Sequence, residues 1–480
     1  MLKGLFSHVF AKIVFVLCTY LIHLYLGKTL TPAAYGTIGV VISIITVNYN
    51  FLSNGARQAV SKLLASKKYD EPDLVKKSVI TQMTVAAVLT ALNYFGADFL
   101  SELLNAPMMA DYIRLAALMI PFTAGYFICV GTINGLRLFV IEASIVTIYP
   151  LLRLTVIPYV KYVFADSAVG TVMGFFTAAA LCCIGGALYL TKNRKKFVIR
   201  DQKVEVKTFI SNMTNFLLFF TCITVILNAD MLFVNALVVD ENQVGYYTGA
   251  VNFAKVSYYL LSAIYIVALP VITKYYSEDN MSGARDTIKA LNNAIVLLIL
   301  PIVSIVGATT GTMLAAFYKP EYSSASTTAT VLMCSQFLIG LFVVINMCIS
   351  ATKDKKFSTI TSVLIMIVNL ILCYILINMF GILGAAVASF CTGAIGCIIS
   401  YIKAGNIFGL LFDRSTVRLL IYNVILFILI KLLFTWLNIT NLFILLFFYA
   451  FVYFVFISLM ILTRQLDIKE IISIFSRKVK

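Results

Sequence analysis

The chain has 480 residues, of which 61% are hydrophobic and only 12% charged, and its mean hydropathy is +0.97. Soluble domains carry about 25% charged residues, so a water-soluble globular protein is excluded. The net charge of +16 would suit nucleic acid, but the basic residues are scattered over short loops with no soluble domain to present them. Topology and anionic lipid headgroups explain them instead, and no nucleic-acid partner is expected.

A helix needs roughly 20 apolar residues to cross a bilayer. In chain order such runs lie at 5–27, 33–53, 78–97, 112–136, 142–163 and 168–191, then at 209–237, 244–272, 288–311, 325–350, 356–377 and 382–404, and finally at 416–437 and 440–463. Barrel strands would alternate apolar and polar residues over about ten positions, and these runs do not. The fold class is therefore all-α, a polytopic membrane protein with about 14 transmembrane helices. The first run is too long for a cleaved signal peptide, and a Thr31-Pro32 turn follows it rather than a small-residue cleavage site.

Lys and Arg concentrate in alternate connections: Arg57 to Lys77, Arg137, Lys192 to Lys207, Lys274 to Lys289, Lys353 to Lys356, Lys403 to Arg418, and the tail from Arg464 to Lys480. The other connections hold little beyond Lys28, Lys161 and Lys319. This positive-inside bias predicts a cell-membrane protein with both termini cytoplasmic. All ten cysteines fall inside predicted spans without metal-ligand spacing, so they read as packing residues, and neither a metal nor a cofactor is expected.

The charged stretch Thr191–Lys207 divides the chain nearly in half and reads as a linker between lobes. The halves echo each other: Ala34-Tyr35-Gly36-Thr37 opens the second span and Gly245-Tyr246-Tyr247-Thr248 the eighth. Six spans per half is an even number, so the repeats share an orientation and are related by an axis along the membrane normal. Three parts result: residues 1–207 as an N-lobe with linker, 208–408 as a C-lobe, and 409–480 as two appended spans with a basic tail.

Charges at bilayer depth are costly and mark interiors or watery cavities. The candidates are Lys12, Arg153, Asp230, Lys255 and Lys431. At about 100° per residue, His8, Lys12, Thr19 and His23 share one face of the first span, and Ser43, Thr46, Asn50, Asn54 and Arg57 one face of the second. Thr221, Thr224, Asn228 and Asn235 line the seventh, and Thr248, Asn252, Lys255, Tyr259 and Ser262 the eighth. A polar cavity between the lobes is the simplest common destination, with interhelical hydrogen bonding as the bland alternative. Arg153, between Pro150 and Pro158, suits an anionic group such as phosphate or else an acid from another helix. Asp230 is expected to serve as a proton or sodium site or as an ion-pair partner. Lys12 and Lys431 are placed to snorkel. Asp70-Glu71 with Asp73 reads as a group of solvated helix-capping acids.

Several segments resemble the polysaccharide-exporter branch of the superfamily that also holds multidrug-and-toxic-compound extrusion transporters and lipid-linked peptidoglycan-precursor flippases. They are Leu26-Gly27-Lys28-Thr29-Leu30-Thr31-Pro32-Ala33-Ala34-Tyr35-Gly36, the stretch Asn54-Gly55-Ala56-Arg57-Gln58-Ala59-Val60-Ser61-Lys62, Val244-Gly245-Tyr246-Tyr247 leading to Pro270, and Phe380-Gly381-Ile382-Leu383-Gly384. The resemblance implies two six-helix lobes moving a lipid-(pyro)phosphate-linked oligosaccharide to the outer leaflet by alternating access. Cationic residues would hold the phosphate, and glycan-assembly enzymes are the implied partners. No catalytic motif comes with it. The substrate candidates taken from the stripes are Arg153, Lys255, Asn252, Arg57, Asn50, Asn228 and Lys12, with Asp230 for ion coupling or ion pairing. A cation-coupled multidrug antiporter and a peptidoglycan-precursor flippase are the nearest alternatives. An integral-membrane glycosyltransferase or polymerase is disfavoured by the short outer loops.

Overall fold

The Thr31-Pro32 turn separates the first two helices by the chemistry its residues dictate. The Thr31 hydroxyl accepts the Ala34 N–H at 3.3 Å, and Pro32 occupies the first helical position, where no donor is needed. The computed structural model describes residues 2–463 except 195, 196, 353, 410, 412, 413, 435, 438 and 440, and not the side chains of 2–9, 215, 216, 263–270, 277 and 355. His8, Lys353 and the basic tail from Arg464 to Lys480 thus lie outside the described residues or side chains. Two units are distinguished, Met1–Gly245 and Tyr246–Lys480.

The first unit begins with α1 (Leu2–Thr29) and α2 (Pro32–Asn54), which continues across a break at Gly55 into α3 (Ala56–Ala65). Next come α4 (Glu71–Phe95), α5 (Ala97–Leu103), α6 (Met109–Ala117) and α7 (Ile120–Gly135). Then α8 (Phe139–Arg153) carries Pro150 inside it and ends beside Arg153. The short α9 (Val156–Pro158) and a π-turn at Tyr159–Val163 follow, so the two prolines do break this span, as expected. After α10 (Ser167–Lys192) the predicted seventh span is two helices, α11 (Val206–Ile226) and α12 (Ala229–Leu237). The break has a local cause: the Asn228 side-chain amide takes the Thr224 carbonyl at 2.7 Å, and the Asn228 backbone N–H turns to Val225 instead.

The second unit follows from α13 (Glu241–Ser277), whose first five residues belong to the first unit. It holds α14 (Met281–Ala294), a π-turn at Ile295–Ile299, α15 (Leu300–Ala308), α16 (Thr310–Phe317), α17 (Ser326–Ser350) and α18 (Lys355–Phe408), and closes with α19 (Arg414–Phe434) and α20 (Leu442–Leu462). α18 is two helices joined at Gly381, whose φ of 58° and ψ of −136° only glycine adopts without strain. Pro301 disrupts the preceding turn, and side chains from the last two helices take up carbonyls there. Asn423 donates to Val296 at 3.1 Å and Tyr453 to Leu298 at 3.1 Å. The appended pair is thereby bonded to the unit it follows.

Twelve described stretches are helical, long and apolar enough to cross a membrane. One of them, Lys356–Phe408, is the two arms about Gly381, and α13 covers the predicted eighth span, which reconciles twelve with fourteen. The chain is an all-helical polytopic membrane protein, with no strand among the described residues.

Two of the three acids at 70–73, Asp70 and Glu71, are not solvated. Asp70 caps α4 through the Asp73 N–H at 2.9 Å, but it is buried, as is Glu71. Both hold the linker: Asp70 accepts the Arg200 N–H at 3.0 Å, and Glu71 accepts the Val198 N–H at 3.0 Å and the Arg200 guanidinium at 2.9 Å. Unbonded carboxylates could not be buried cheaply, and three linker donors remove that cost.

Candidate functional site

Among the described lysines and arginines of the first unit, Arg153 alone is buried, at 7% exposed. It reaches this position because α8 ends there and the chain after it packs closely on α10. A Cβ on Gly174 would meet the Val156 N at 2.7 Å and Cα at 2.8 Å, so only glycine permits the approach that brings Phe175 alongside. The guanidinium carbon lies 4.1 Å from the Phe175 ring centroid and 5.5 Å from that of Phe15 on α1. It makes no ion pair or hydrogen bond to the described residues, and its Nε is buried without an acceptor. Aromatic faces therefore stabilise the charge and leave its donors unused.

Lys12 approaches the same Phe15 ring, its Nζ 5.6 Å from the centroid, so two cations from different helices flank one phenylalanine. On the other side Tyr149, one turn before Arg153, stacks on Tyr49 of α2 at 5.6 Å and on Tyr126 at 4.9 Å. Tyr49 meets Phe127 edge-on at 4.7 Å, and the Arg57 guanidinium carbon is 6.0 Å from the Phe127 ring. Arg57, Phe127, Tyr49, Tyr149, Arg153, Phe15 and Lys12 thus form a continuous cationic and aromatic array through α1, α2, α3, α7 and α8.

Glu142 does not pair with Arg153. It lies fully buried and accepts Arg57 at 3.3 Å and the Asn134 amide at 2.5 Å, while Asn134 accepts the Ser61 hydroxyl at 2.5 Å. A Cβ on Gly131 would meet the Arg57 carbonyl at 2.7 Å, so a glycine again sets how near α7 comes. Asn50 is half-buried, and its side chain forms no hydrogen bond with the described residues. Asp230 is wholly buried in the first turn of α12 and accepts the Met231 N–H at 2.8 Å, where a carboxylate complements the helix N-terminus. Asn228 stands at the preceding break. In the second unit Lys255 and Asn252 are half-buried on α13, and Asn252 donates to the Thr248 carbonyl at 2.9 Å.

Much of the polar striping satisfies its own helix. Thr19, Ser43, Asn54, Thr224, Asn228 and Asn252 each donate to a carbonyl four residues back. His23, counted in the first stripe, is buried and bonded to the Tyr35 hydroxyl at 2.9 Å, a tie between α1 and α2. Lys431 is exposed, its Nζ 5.9 Å from the Phe427 ring. Sequence reasoning missed Phe15, Phe175, Tyr49, Tyr126 and Tyr149, and it weighed Glu142, an acid at the edge of a span, only as a partner of Arg153 and not of Arg57. The ten cysteines are all free, and no group of metal ligands occurs among the described residues.

The sequence profile of the polysaccharide biosynthesis protein family matches residues 1–276. The chain belongs to that family. A second profile, MatE, matches residues 202–375, and together they place the chain in the multidrug/oligosaccharidyl-lipid/polysaccharide flippase superfamily, whose members are transporters rather than enzymes. No curated protein matches significantly in sequence. Among solved structures, the lipid II flippase MurJ in an inward closed conformation is similar with a TM-score of 0.73 at 15% identity, over 96% of this chain and 99% of that one. An inward-facing multidrug resistance MATE family transporter gives 0.66 at 13% identity, over 84% and 98%. A superfamily transporter from Pyrococcus furiosus gives 0.63 at 13% identity, over 84% and 96%. At these identities the likeness is one of fold, and it fits a family of multi-pass membrane transporters.

Proposed function

We propose that this family member is a flippase that carries a lipid-(pyro)phosphate-linked oligosaccharide from the cytoplasmic to the outer leaflet by alternating access, with both termini in the cytoplasm. The observation that carries this reading is Arg153, a buried cation held by two aromatic rings with its N–H donors unspent. Burying an unpaired charge costs several kcal/mol, and a phosphate oxygen recovers that cost through charge-assisted hydrogen bonds. Lys12, beside the same ring, adds a second positive charge suited to a pyrophosphate. Arg57, partly neutralised by Glu142, stands at the far end of the array, and Lys255 on α13 is a further candidate for an anionic group. Asn50, Asn228 and Asn252 are the candidates for sugar hydroxyls, and Asp230 is the candidate coupling-ion ligand. The family profile for polysaccharide biosynthesis favours a glycan cargo over a cationic drug, as do the cations themselves.

The test uses proteoliposomes loaded with a fluorescent lipid-pyrophosphate oligosaccharide, whose protection from an external glycan-cleaving enzyme is followed over time. Wild-type protein should abolish protection, and Arg153→Ala should slow that loss at least about tenfold, the equivalent of one lost charge-assisted contact. Equal rates in both proteins would remove Arg153 from the mechanism. A second reading, a peptidoglycan-precursor flippase, is favoured by the overall likeness to the lipid II flippase, and the same assay with that headgroup separates the two.

A further inference from the structure

The linker segment held by α4 has a feature that transport itself does not require. Its anchoring contacts fall on even-numbered residues: Val198 through its N–H and carbonyl, Arg200 through its N–H and guanidinium, Gln202 through its carbonyl, and Val204 through its N–H to Asp73 at 3.2 Å and its carbonyl to Lys77 at 2.7 Å. Val198, Ile199, Asp201, Gln202 and Lys203 are all exposed, and Ile199, a large aliphatic residue, is 82% exposed.

The carboxylates of Asp70, Glu71 and Asp73 are consumed by the anchoring, whereas Lys67, Lys68, Arg194 and Lys203 around it remain exposed. These four cations outnumber the exposed acids Asp201 and Glu205, so the surface is net cationic around an apolar tip. It stands where α10 ends at Lys192 and α4 starts at Glu71, the ends of two membrane-crossing stretches, on the face that the positive-inside pattern assigns to the cytoplasm. We infer that residues 197–203 form a membrane-docking strap that places Ile199 in an anionic lipid surface, with Lys67, Lys68, Arg194 and Lys203 on the headgroups. Apolar insertion ringed by cations is the combination that recognises acidic lipid over neutral lipid.

The single tryptophan, Trp436, makes the test direct. Full-length protein carrying Trp436→Phe and Ile199→Trp is placed in nanodiscs of phosphatidylcholine alone or with phosphatidylglycerol, and tryptophan quenching by lipids brominated near the headgroup is measured. Quenching at least about twofold stronger in the anionic bilayer, reduced by Lys67→Gln with Lys68→Gln and Lys203→Gln, is expected. Water-like emission in both bilayers, or equal quenching in both, overturns the inference. Should the Ile199 variant not fold, Val198→Trp, at the neighbouring exposed position and with its backbone contacts retained, gives the same reading. The measurement needs no transport substrate, so its failure is independent of any failure of the flippase assay.

Discussion

The Arg153 guanidinium carbon stands 4.1 Å from the centre of the Phe175 ring, closer than to any other aromatic partner it has among the described residues. The contact should be energetically coupled. In a double-mutant cycle of Phe175→Leu and Arg153→Met, thermal unfolding in detergent is expected to give a coupling of about 1–2 kcal/mol, typical of a desolvated cation on a ring. Additive effects would show that the ring merely packs beside the side chain.

Arg57 and Glu142 should respond unequally to loss of their partner. The Glu142 side chain is fully buried while that of Arg57 is 28% exposed. Arg57→Met removes a counter-charge from a buried carboxylate that also accepts the Asn134 amide, and should cost about 3 kcal/mol. Glu142→Gln leaves a guanidinium that water can reach, and should cost roughly 1 kcal/mol. Melting temperatures of the two variants check the order, and the reverse order would show that Arg57 is the more desolvated partner.

Gly381→Ala should weaken the second unit without touching any polar group. The left-handed φ at this hinge penalises a side chain by about 1–2 kcal/mol. A drop in melting temperature with normal membrane insertion is expected. An unchanged melting temperature would mean that the two arms can join in another geometry.

Asp230→Asn keeps the shape of a wholly buried residue and removes its charge. If Asp230 binds the coupling ion, transport in proteoliposomes should lose its response to an imposed sodium or proton gradient while uncoupled exchange persists. A retained gradient response would assign coupling elsewhere.

The membrane fold was legible because it rests on one strong signal, apolar length, and the helices follow the predicted spans to within several residues. The departures are physical. Helices outran their apolar runs where a polar cap extended them, as Asp70 does for α4, and the seventh span broke at Asn228 because a side-chain amide displaced a backbone donor. The candidate site was half legible. Arg153 and Lys12 stood out as charges among apolar neighbours, whereas Phe15 and Phe175 are two of 36 phenylalanines and become partners only through helix packing. Serine, threonine and asparagine stripes were poor guides, since a carbonyl four residues back satisfies them as well as a cavity would.

The strap has a bearing on biosynthesis. Val204, Phe209, Met213 and Leu217 share a core with Ala56, Leu63, Leu74 and Ile128, and the buried Glu71 takes its donors from Val198 and Arg200. A ribosome that has released the chain only as far as α10 has therefore made a half with a stranded acid and an open apolar seam. That half closes only after the chain has emerged beyond about residue 217, so the segment joining the halves is also the last stitch of the first one.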